Sequence, residues 1–387
     1  MSNIPIYCIH AYKSLRFDQA GGVAMCCIQH GRLTDEGIHL SAHTDSVNKI
    51  MNSDSAVKIR KQLENGEWPT SCNVCEFQER VSGSSKRLID NMSHSNSADT
   101  NVNLRIIDIS AGNTCNLKCR ICSPRASSQW VQEHIDEQEE RFGKIISIKT
   151  YDQIVHGYSN SLVWSEIEAN AENIIEIDMY GGEPFLVKNN WSMLQHFIEK
   201  DIAKNVIVHL NTNGTIWNES KVKILEQFKE ALVSFSIDGV DKQFEYLRFP
   251  GKFPQVDANI RKALKTKCKI NICYSVCAYN IFYVSEFLDY VDDLGTTVYI
   301  NHVYESSQNS LRAIPIEVKE ILLAKLIAKN DIRLASTISI LEEGEQDLLL
   351  FDEFKTDAKW HDSYRNEKFE EAFPEYYELI TPTKWSL

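Results

Sequence analysis

The sequence lacks long apolar runs, an excess of positive charge and an amino-terminal export signal. No stretch of its 387 residues approaches the roughly 18 apolar residues that a membrane-spanning helix needs. The first residues, MSNIPIYCIHAYKSLRF, lack a signal peptide's charged start and apolar core. Lys and Arg number 41 against 54 Asp and Glu, a net charge of -13, which disfavours a nucleic-acid backbone as the main partner. We expect a cytoplasmic protein with no membrane and no nucleic-acid partner.

Cysteine, in contrast, is plentiful, with 11 in the chain. Because cytoplasmic cysteines rarely form disulfides, metal binding, catalysis or packing must explain them. Five cysteines lie among the first 80 residues and three lie between residues 115 and 122, whereas Cys268, Cys273 and Cys277 come late. For this last group we expect packing in or beside a strand. Radical quenching or relay by Cys273 is the alternative.

A strand followed by a helix recurs along the chain from about residue 104. Amphipathic stretches separate the strand candidates, as expected for βα units in series. Such units predict a parallel sheet, either doubly wound or curled into an incomplete barrel, with the chemistry at the carboxyl ends of the strands. The six strand candidates cover residues 104–110, 174–180, 206–212, 232–238, 270–276 and 297–303.

Alternation within these strands favours the curled arrangement. Asp108 and Ser110 alternate with apolar residues on the first strand, as Glu176 and Asp178 do on the second and His209 does on the third. Strands buried on both faces would instead be apolar throughout. We therefore expect the polar faces to line a lumen. The alternative is that polar residues cluster at strand ends near water.

The segments around this repeat predict three further regions. A hairpin is expected around Gly21 and Gly22, and a helical stretch over Ser46–Asn65 leads to a Cys-Asn-Val-Cys segment at residues 72–75. Ser82–Asn103 is rich in Ser and Asn and predicts a linker or covering loop. We predict a small cysteine-containing domain over 1–83, a linker over 84–103, a barrel over 104–310 and a helical extension over 311–387.

Cys115, Cys119 and Cys122 place three thiols within one short loop, directly after the first strand of the repeat. Three cysteines can ligate three irons of a four-iron, four-sulfur cluster and leave the fourth iron without a protein ligand. An open coordination position is where a substrate binds in catalytic metal sites. A zinc site completed by a distant ligand and reduced structural thiols are the alternatives.

This CxxxCxxC spacing resembles the signature of the radical S-adenosylmethionine (SAM) superfamily, which implies a partial (β/α)6 barrel and a [4Fe-4S] cluster. Further segments match the family at the ends of later strands. For Thr212, Asn213 and Asn280, capping of a turn or helix is an equally good explanation. The resemblance implies SAM contacts by Gly181, Gly182, Glu183 and Pro184 (amino group), by Thr212 and Asn213, by Ser236 and Asp238, by Arg248 (carboxylate), by Asn280 (adenosine) and by Ile121 (adenine).

The amino-terminal cysteines resemble the auxiliary cluster motif of SPASM and Twitch domains. In that motif a first cysteine precedes a glycine-turn hairpin with a cysteine on its second strand, and a helix runs on to a CxxC. The resemblance implies a second [4Fe-4S] cluster, held by Cys8, by Cys26 or Cys27, and by Cys72 and Cys75. Neighbouring residues of a strand point to opposite faces, so only one of Cys26 and Cys27 is expected to ligate.

The motif's spacing favours Cys26, with Cys27 as the competitor and His10 as a further candidate. With four protein ligands the cluster would have no open iron, and it would relay electrons or brace the substrate. A zinc ribbon is the alternative for this second site, because four cysteines that include one CxxC also suit tetrahedral zinc.

The resemblance implies an enzyme that reductively cleaves SAM to a 5′-deoxyadenosyl radical, which removes a hydrogen atom from a polar substrate. SPASM and Twitch relatives favour a peptide substrate, with a sugar or small metabolite as an alternative. A non-catalytic iron–sulfur protein for electron transfer or sensing is the other alternative. A flavodoxin or ferredoxin is expected as electron donor, with Lys58, Arg60, Lys61 and Arg80 as a candidate basic docking patch.

Overall fold

The computed structural model describes residues 4–151, 154, 158, 160–303, 307–343 and 347–381. Within these ranges the strands are β1 Ser14–Phe17, β2 Val23–Ala24, β3 Thr34–Asp35, β4 Ile38–His39, β5 Ile106–Ser110, β6 Glu176–Tyr180, β7 Ile207–Thr212, β8 Glu230–Ser236, β9 Lys269–Val276 and β10 Thr297–His302. The main sheet has the strand order β10-β9-β8-β7-β6-β5-β1-β2, and β3 pairs with β4 separately.

The main sheet is mostly parallel. β1 pairs in parallel with β5, β5 with β6, β6 with β7 and β9 with β10, whereas β1 and β2 form an antiparallel hairpin. The run from β5 to β10 follows chain order, with helices between successive strands. This arrangement confirms the predicted fold class, a mixed α/β fold consistent with a partial barrel and followed by a helical carboxyl-terminal region.

The helices lie before, between and after the strands of this sheet. No helix within the described ranges is both long and apolar enough to cross a bilayer. The α-helices span Ile9–Lys13, Val47–Met51, Asp54–Glu64, Asn73–Ser82, Lys86–Ser93, Trp130–Phe142, Leu162–Ala169, Lys188–Glu199, Glu219–Leu225, Asp241–Leu247, Phe253–Ala263, Val284–Leu294, Ile316–Lys329, Ala335–Glu343, Leu348–Arg365, Phe369–Ala372 and Pro374–Ile380.

All six strands predicted from the sequence are present, with small shifts at their ends. β8 begins at Glu230, two residues before the predicted start of this strand. The predicted hairpin is confirmed by the pairing of Phe17 with Val23, but it is shorter than expected because Ile9–Lys13 is helical. The predicted helix over residues 46–65 is divided where Ser53 caps a second helix through the N–H of Ala56.

The expectation of a loop over residues 82–103 is wrong where Lys86–Ser93 forms a helix. Ser85 caps this helix by accepting the N–H of Leu88, and the Asn91 side chain accepts the N–H of Ile9 at 2.8 Å and donates to the carbonyl of Tyr7 at 2.9 Å. Polar residues that suggest a loop by composition therefore hold the helix through specific hydrogen bonds.

The chain divides into two compact units. This division rests on compactness alone, so the functional boundaries predicted from the sequence stay predictions. The first unit runs to Asn116 and also contains Ser123–Asn211 and Asn218–Leu232, and the second contains Leu117–Cys122, Thr212–Trp217 and the residues from Val233 onward.

Alternation along β6 and β7 separates a core face from a polar face. Ile177 and Met179 of β6 and Val208 and Leu210 of β7 are buried, and their neighbours along each strand are half-buried. Each buried side chain of this size contributes about 1.5–3 kcal/mol through the hydrophobic effect. The apolar face therefore fixes which side of each strand carries the polar residues.

A buried arginine holds the second unit together around the cysteine loop. Arg120 donates from Nη2 to Asp362 Oδ1 at 2.6 Å and to Glu367 Oε2 at 3.0 Å. Its guanidinium carbon lies 3.5 Å from the centroid of the Tyr246 ring, and Tyr246 also donates to Asp362 at 2.7 Å. Burial, planarity and permanent charge make arginine suited to this contact. The loop residue between two cysteines is thus bound to the carboxyl-terminal region.

Replacement of Arg120 by Gln is expected to lower the free energy of unfolding by about 3–5 kcal/mol, because removal of one partner leaves half-buried carboxylates unpaired. Chemical denaturation measures the change. The control is Arg312→Gln, since Arg312 lies 3.7 Å from Asp347 with 47% of its side chain exposed and its loss should cost at most about 1 kcal/mol. Equal effects of the two substitutions would contradict the structural role of Arg120.

Candidate functional site

The second half of the cysteine loop is fixed by main-chain hydrogen bonds to one short segment. The N–H of Lys118 donates to the carbonyl of Phe249 at 2.7 Å, and the N–H of Arg120 donates to the carbonyl of Leu247 at 2.8 Å. A further N–H to carbonyl bond joins Cys122 to Cys119 at 3.0 Å. Residues 247–249 therefore run alongside the loop and place the intervening arginine next to its thiols.

That arginine is Arg248, which is buried between a carboxylate and a thiol. Its Nη2 lies 2.7 Å from Asp238 Oδ2, and its Nη1 lies 3.9 Å from Cys119 Sγ. Burial alone would lower the pKa of Arg248, but Asp238 and the thiols of Cys119 and Cys122 outweigh burial and raise it. A permanent cation here stabilises ionised thiols, which are the form that ligates iron. The donor set fits an iron–sulfur cluster.

Asp238 and Asn280 form a buried polar clamp in the second unit. Asp238 Oδ1 accepts the N–H of Ser275 at 2.9 Å. Asn280 Nδ2 donates to the carbonyls of Asp238 and Ser275, both at 3.0 Å, while its Oδ1 accepts the N–H of Cys277 at 2.9 Å. Through these contacts the Asn280 side chain stabilises the turn that follows β9. They favour the structural explanation for Asn280, and its predicted adenosine contact stays a prediction.

Thr212 and Asn213 likewise shape the turn that follows β7. Thr212 Oγ1 accepts the N–H of Gly214 at 3.2 Å, and Asn213 Oδ1 accepts both the N–H and the hydroxyl of Thr215, at 3.0 and 2.6 Å. Hydrogen bonds of this kind define an Asx-type turn. The predicted SAM contacts of both residues, and those of the half-buried Ser236 and Ile121, stay predictions.

The glycine pair after β6 packs against the backbone that leads into the cysteine loop. Gly181 and Gly182 have φ of 71° and 50°, a region that favours glycine. A Cβ on Gly182 would lie 2.3 Å from the carbonyl oxygen of Thr114, and that same carbonyl accepts the N–H of Glu183 at 2.8 Å. The turn and the residue just before Cys115 are therefore in direct contact.

Glu183 is fully buried and begins a short helical turn at Pro184. Its Oε1 accepts the N–H of Phe185 at 3.0 Å. Lys221 donates to the carbonyl of Phe185. Burial lowers the pKa of Lys221, and Glu183 partly offsets this effect. A buried carboxylate at this turn supplies the negative charge that the predicted contact with an ammonium group requires.

Four cysteines of the first unit line one cavity of about 410 Å³, part of it open to solvent. They are Cys8, Cys26, Cys72 and Cys75. Burial raises the pKa of Cys8 to about 12, and the thiols of Cys72 and Cys75 contribute to this rise. Four cysteine thiols around one space are typical of a metal or cluster site.

Cys27 does not line this cavity. Cys26 and Cys27 lie in a turn after β2, where the N–H of Gln29 donates to the carbonyl of Cys26 at 3.3 Å, so their expected placement on a strand is wrong. β2 ends at Ala24 because the Gln29 side chain accepts the N–H of Met25 at 2.8 Å. The turn nevertheless separates the two thiols, with Cys26 in the cavity and Cys27 exposed.

His10 also lines the cavity. Its Nε2 lies 2.6 Å from Asp90 Oδ2, and its buried Nδ1 has no hydrogen-bond partner among the described residues. Although burial raises the pKa of Asp90, hydrogen bonds with His10 and Lys86 lower it to about 2. The carboxylate fixes the orientation of the imidazole, as carboxylates do for metal-bound histidines.

Four side chains form one row across four adjacent strands of the first unit, which we call the charged row. Arg16 pairs in register with Asp108, Asp108 with Asp178, and Asp178 with His209. His209 Nδ1 lies 3.3 Å from Asp178 Oδ1 and 3.1 Å from the Tyr180 hydroxyl. Alternation predicted three of these residues on one face. It missed Arg16, because β1 lies outside the predicted repeat.

Asp108 is a strongly perturbed carboxyl group of the row. Its pKa is raised to about 7, first because the group is buried and second because Asp178 lies near it. Arg16, 4.0 Å from Asp108 Oδ2, offsets this rise only in part. Perturbed carboxyl groups of this kind concentrate at functional sites.

The predicted basic docking patch is wrong in one member. Arg60 is buried and donates to the carbonyls of Ala11 at 3.1 Å and Met51 at 2.8 Å, so it ties two helices together and presents no charge to a partner. Lys58, Lys61 and Arg80 are exposed. Helical periodicity alone does not identify which basic residue turns inward.

Replacement of Gly182 by Ala is expected to lower the free energy of unfolding by about 1–3 kcal/mol or more, because strain at positive φ adds to a clash with the Thr114 carbonyl. Thermal or chemical unfolding measures this loss. Gly143→Ala is the matched control, since Gly143 has a φ of 63° and no atom within 4 Å of the added Cβ. The close contact is disproved if both substitutions cost the same.

Residues 109–294 match the family model of the Radical SAM superfamily. The chain is 28% identical over 167 residues to the GTP 3′,8-cyclase of Syntrophomonas wolfei, which covers 42% of this chain and 43% of that protein. It is 22% identical over 190 residues to the sporulation killing factor maturation protein SkfB of Bacillus subtilis, which covers 48% of this chain and 39% of that protein. The chain thus spans about two fifths of the length of these curated relatives.

Among solved structures, the chain is similar to Streptococcus suis SuiB bound to the precursor peptide SuiA, at 13% identity and a TM-score of 0.34, over 73% of this chain and 64% of that one. The region that matches the family model begins in β5, ends with the helix Val284–Leu294 and contains the CxxxCxxC loop, the glycine turn and Arg248. This chain therefore contains a radical SAM superfamily domain over residues 109–294.

Proposed function

We propose that this protein is an enzyme that reductively cleaves SAM and uses the resulting 5′-deoxyadenosyl radical to remove a hydrogen atom from a polar substrate. One observation carries the proposal, namely that the CxxxCxxC loop lies inside the radical SAM domain with the buried Arg248 cation against the Cys119 thiol. When bound to this loop, a [4Fe-4S] cluster supplies one electron and an open iron position.

The chain's own residues bind and orient the cosubstrate in this proposal. The Gly181-Gly182 turn lets main-chain carbonyls approach an ammonium group closely, and buried Glu183 adds a negative charge. Arg248 carries two functions, since it neutralises the loop thiols and presents a planar donor pair suited to a carboxylate. Its pairing with Asp238 in this structure holds the guanidinium in place before SAM binds.

The cavity lined by Cys8, Cys26, Cys72 and Cys75 is proposed to hold an auxiliary [4Fe-4S] cluster. Four thiols satisfy such a cluster without an open iron, so electron relay or support of the substrate is the role that remains. Lys86 and Arg87 also line the cavity, and each is ion-paired with a carboxylate, Lys86 with Asp90 and Arg87 with Glu79. The support for a cluster with thiolate ligands is that four cysteines line one cavity.

We propose a peptide as the substrate, modified after translation. The support is the resemblance of the amino-terminal cysteine pattern to SPASM and Twitch domains, together with the relative SkfB, whose name describes maturation of a killing factor. The relative GTP 3′,8-cyclase favours a small-molecule substrate as the second candidate. A flavodoxin or ferredoxin is the proposed electron donor, for which the exposed Lys58, Lys61 and Arg80 remain as docking residues.

The wild-type protein, reconstituted anaerobically, should hold about eight irons per chain and form 5′-deoxyadenosine from SAM when reduced. Cys119→Ala should lose about four irons and all SAM cleavage, because the CxxxCxxC loop then lacks a ligand. Cys268→Ala is the control, since Cys268 is buried and its predicted role is packing. A fully loaded, reduced wild-type protein that cleaves no SAM would exclude the proposed reaction.

Adjacent cysteines offer a matched pair for the auxiliary site. Cys26→Ser should lower the iron content by up to about four per chain, whereas Cys27→Ser should leave it near eight, because only Cys26 lines the cavity. Iron analysis and the Mössbauer spectrum measure both variants. The reverse result would assign the ligand to Cys27, and zinc in place of the missing iron would show a zinc ribbon.

A further inference from the structure

The charged row contains a buried carboxylate oxygen that no described residue satisfies. Asp108 is 5% exposed, and its Oδ1 has no hydrogen-bond partner among the described residues. Its Oδ2 lies 4.0 Å from Arg16 Nε, which is beyond hydrogen-bond distance. An unpaired buried polar atom costs about 1–3 kcal/mol, and more when it is charged. Such a cost is typical of a site that a ligand completes.

Nearby cationic groups are engaged by other carboxylates. Lys86 Nζ lies 2.7 Å from Asp90 Oδ2, and His94 Nε2 lies 3.0 Å from Glu176 Oε2. Burial raises the pKa of Asp178 as well, although His209 lowers it in part. Arg16 and His209 therefore offset the burial of the two carboxyl groups of the row only in part.

The row is open to a ligand and lies near the glycine turn. Side chains of Arg16, Asp178 and His209 are 29%, 14% and 23% exposed, so the row is reached from solvent. Asp178 precedes the end of β6 by two residues, about 7 Å of strand, and Gly181 follows directly. A group bound at the row would lie close to the turn that we assign to SAM.

We propose that the charged row binds a cationic group of the substrate, a guanidinium or a primary ammonium, between the carboxylates of Asp108 and Asp178. Neighbouring parallel strands lie about 4.8 Å apart, so carboxylates in register present two acceptors to the separate N–H donors of one cation. Charge-assisted hydrogen bonds of this kind are about twice as strong as neutral ones. The reaction of the bound substrate rests on the proposed function, whereas binding of its cationic group requires no SAM cleavage.

The test uses two N-acetyl amino-acid amides, of arginine and of citrulline, which differ in charge and hardly in shape. Their affinities for the reconstituted full-length protein are measured by anaerobic calorimetry. The arginine probe should bind at least about 10-fold more tightly, since one charge-assisted hydrogen bond to a buried carboxylate is worth about 1.5–3 kcal/mol. Equal affinity, tighter binding of citrulline, or no binding of either probe would overturn the inference.

A lysine probe and a glutamate probe extend the same measurement. N-acetyl-lysine amide tells whether an ammonium satisfies the row as well as a guanidinium does, and selectivity for either cation supports the inference. The glutamate probe tests the opposite chemistry, in which neutral carboxylic acids donate to an anion. Preference for glutamate over both cations would contradict the proposal.

Asp108→Asn and Asp178→Asn remove one charge each and preserve shape. Each variant should lower the affinity for the arginine probe by about 10-fold or more and leave the affinity for the citrulline probe unchanged. The control Asp201→Asn removes an exposed carboxylate of the same unit, whose side chain is 85% exposed. Selectivity retained by both row variants, or lost equally by the control, would refute the assignment. The wild-type comparison stands even where a variant fails to fold.

The pH dependence gives a second readout on the wild-type protein. A bound cation favours ionised Asp108, so the affinity for the arginine probe should rise from about pH 6 to pH 8 as this group, with its pKa of about 7, loses its proton. The citrulline probe should show no such rise. A flat or falling profile for arginine would overturn the inference. The charged and titratable groups around Asp108 among the described residues are Arg16, Cys27, Lys86, His94, Tyr158, Glu176, Asp178, Tyr180 and His209.

Failure of this inference and failure of the proposed reaction have different signatures. Probe binding without 5′-deoxyadenosine formation would retain the cation site and reject the SAM chemistry. Formation of 5′-deoxyadenosine without charge-selective binding would retain the reaction and reject the cation site.

Discussion

The parallel register between β5 and β6 is the constraint on which the first unit's candidate sites depend. It pairs Asp108 with Asp178 and Ser110 with Tyr180, and the next residues of the two strands are the approach to the cysteine loop and the glycine turn. Gly182 can then pack on the Thr114 carbonyl. A slip by one residue would turn the carboxylates toward the core face and separate the turn from the loop. Main-chain hydrogen bonds between β5 and β6 therefore fix where the carboxylates, the glycine turn and the cysteine loop lie. The side chains that these bonds align supply the charged and metal-binding groups.

Residues between the loop cysteines stabilise the loop through contacts with other segments of the chain. Arg120 binds two carboxylates of the carboxyl-terminal region and stacks on Tyr246, while the backbone of Lys118 and Arg120 bonds to the segment that carries Arg248. In the proposed reaction this loop holds a cluster that exchanges electrons, and rigid ligand positions would keep the surroundings of that metal constant. The carboxyl-terminal helices thus belong to the support of this loop.

Sequence patterns predicted much of the fold and a smaller part of the site. The six strands were predictable because apolar periodicity is local, whereas the cluster that the cysteine spacing predicts stays a prediction. Arg120, Arg16 and the helix Lys86–Ser93 were not predictable, since their partners lie far along the chain and only folding brings them together. Arg60 is a second example. A basic residue on a helix is expected to be exposed, and the sequence alone does not reveal the carbonyl groups that bind Arg60 in the interior.

The proposed reaction requires that the cysteine loop hold a [4Fe-4S] cluster with one iron open to SAM. The most direct measurement is the electron paramagnetic resonance spectrum of the reduced, reconstituted Cys26→Ser variant, in which the signal of the cysteine loop is observed with less interference from the auxiliary site. Addition of SAM should change this spectrum, because the cosubstrate would bind at the iron that the protein leaves open. A spectrum that SAM leaves unchanged would contradict the account and would favour a non-catalytic iron–sulfur protein.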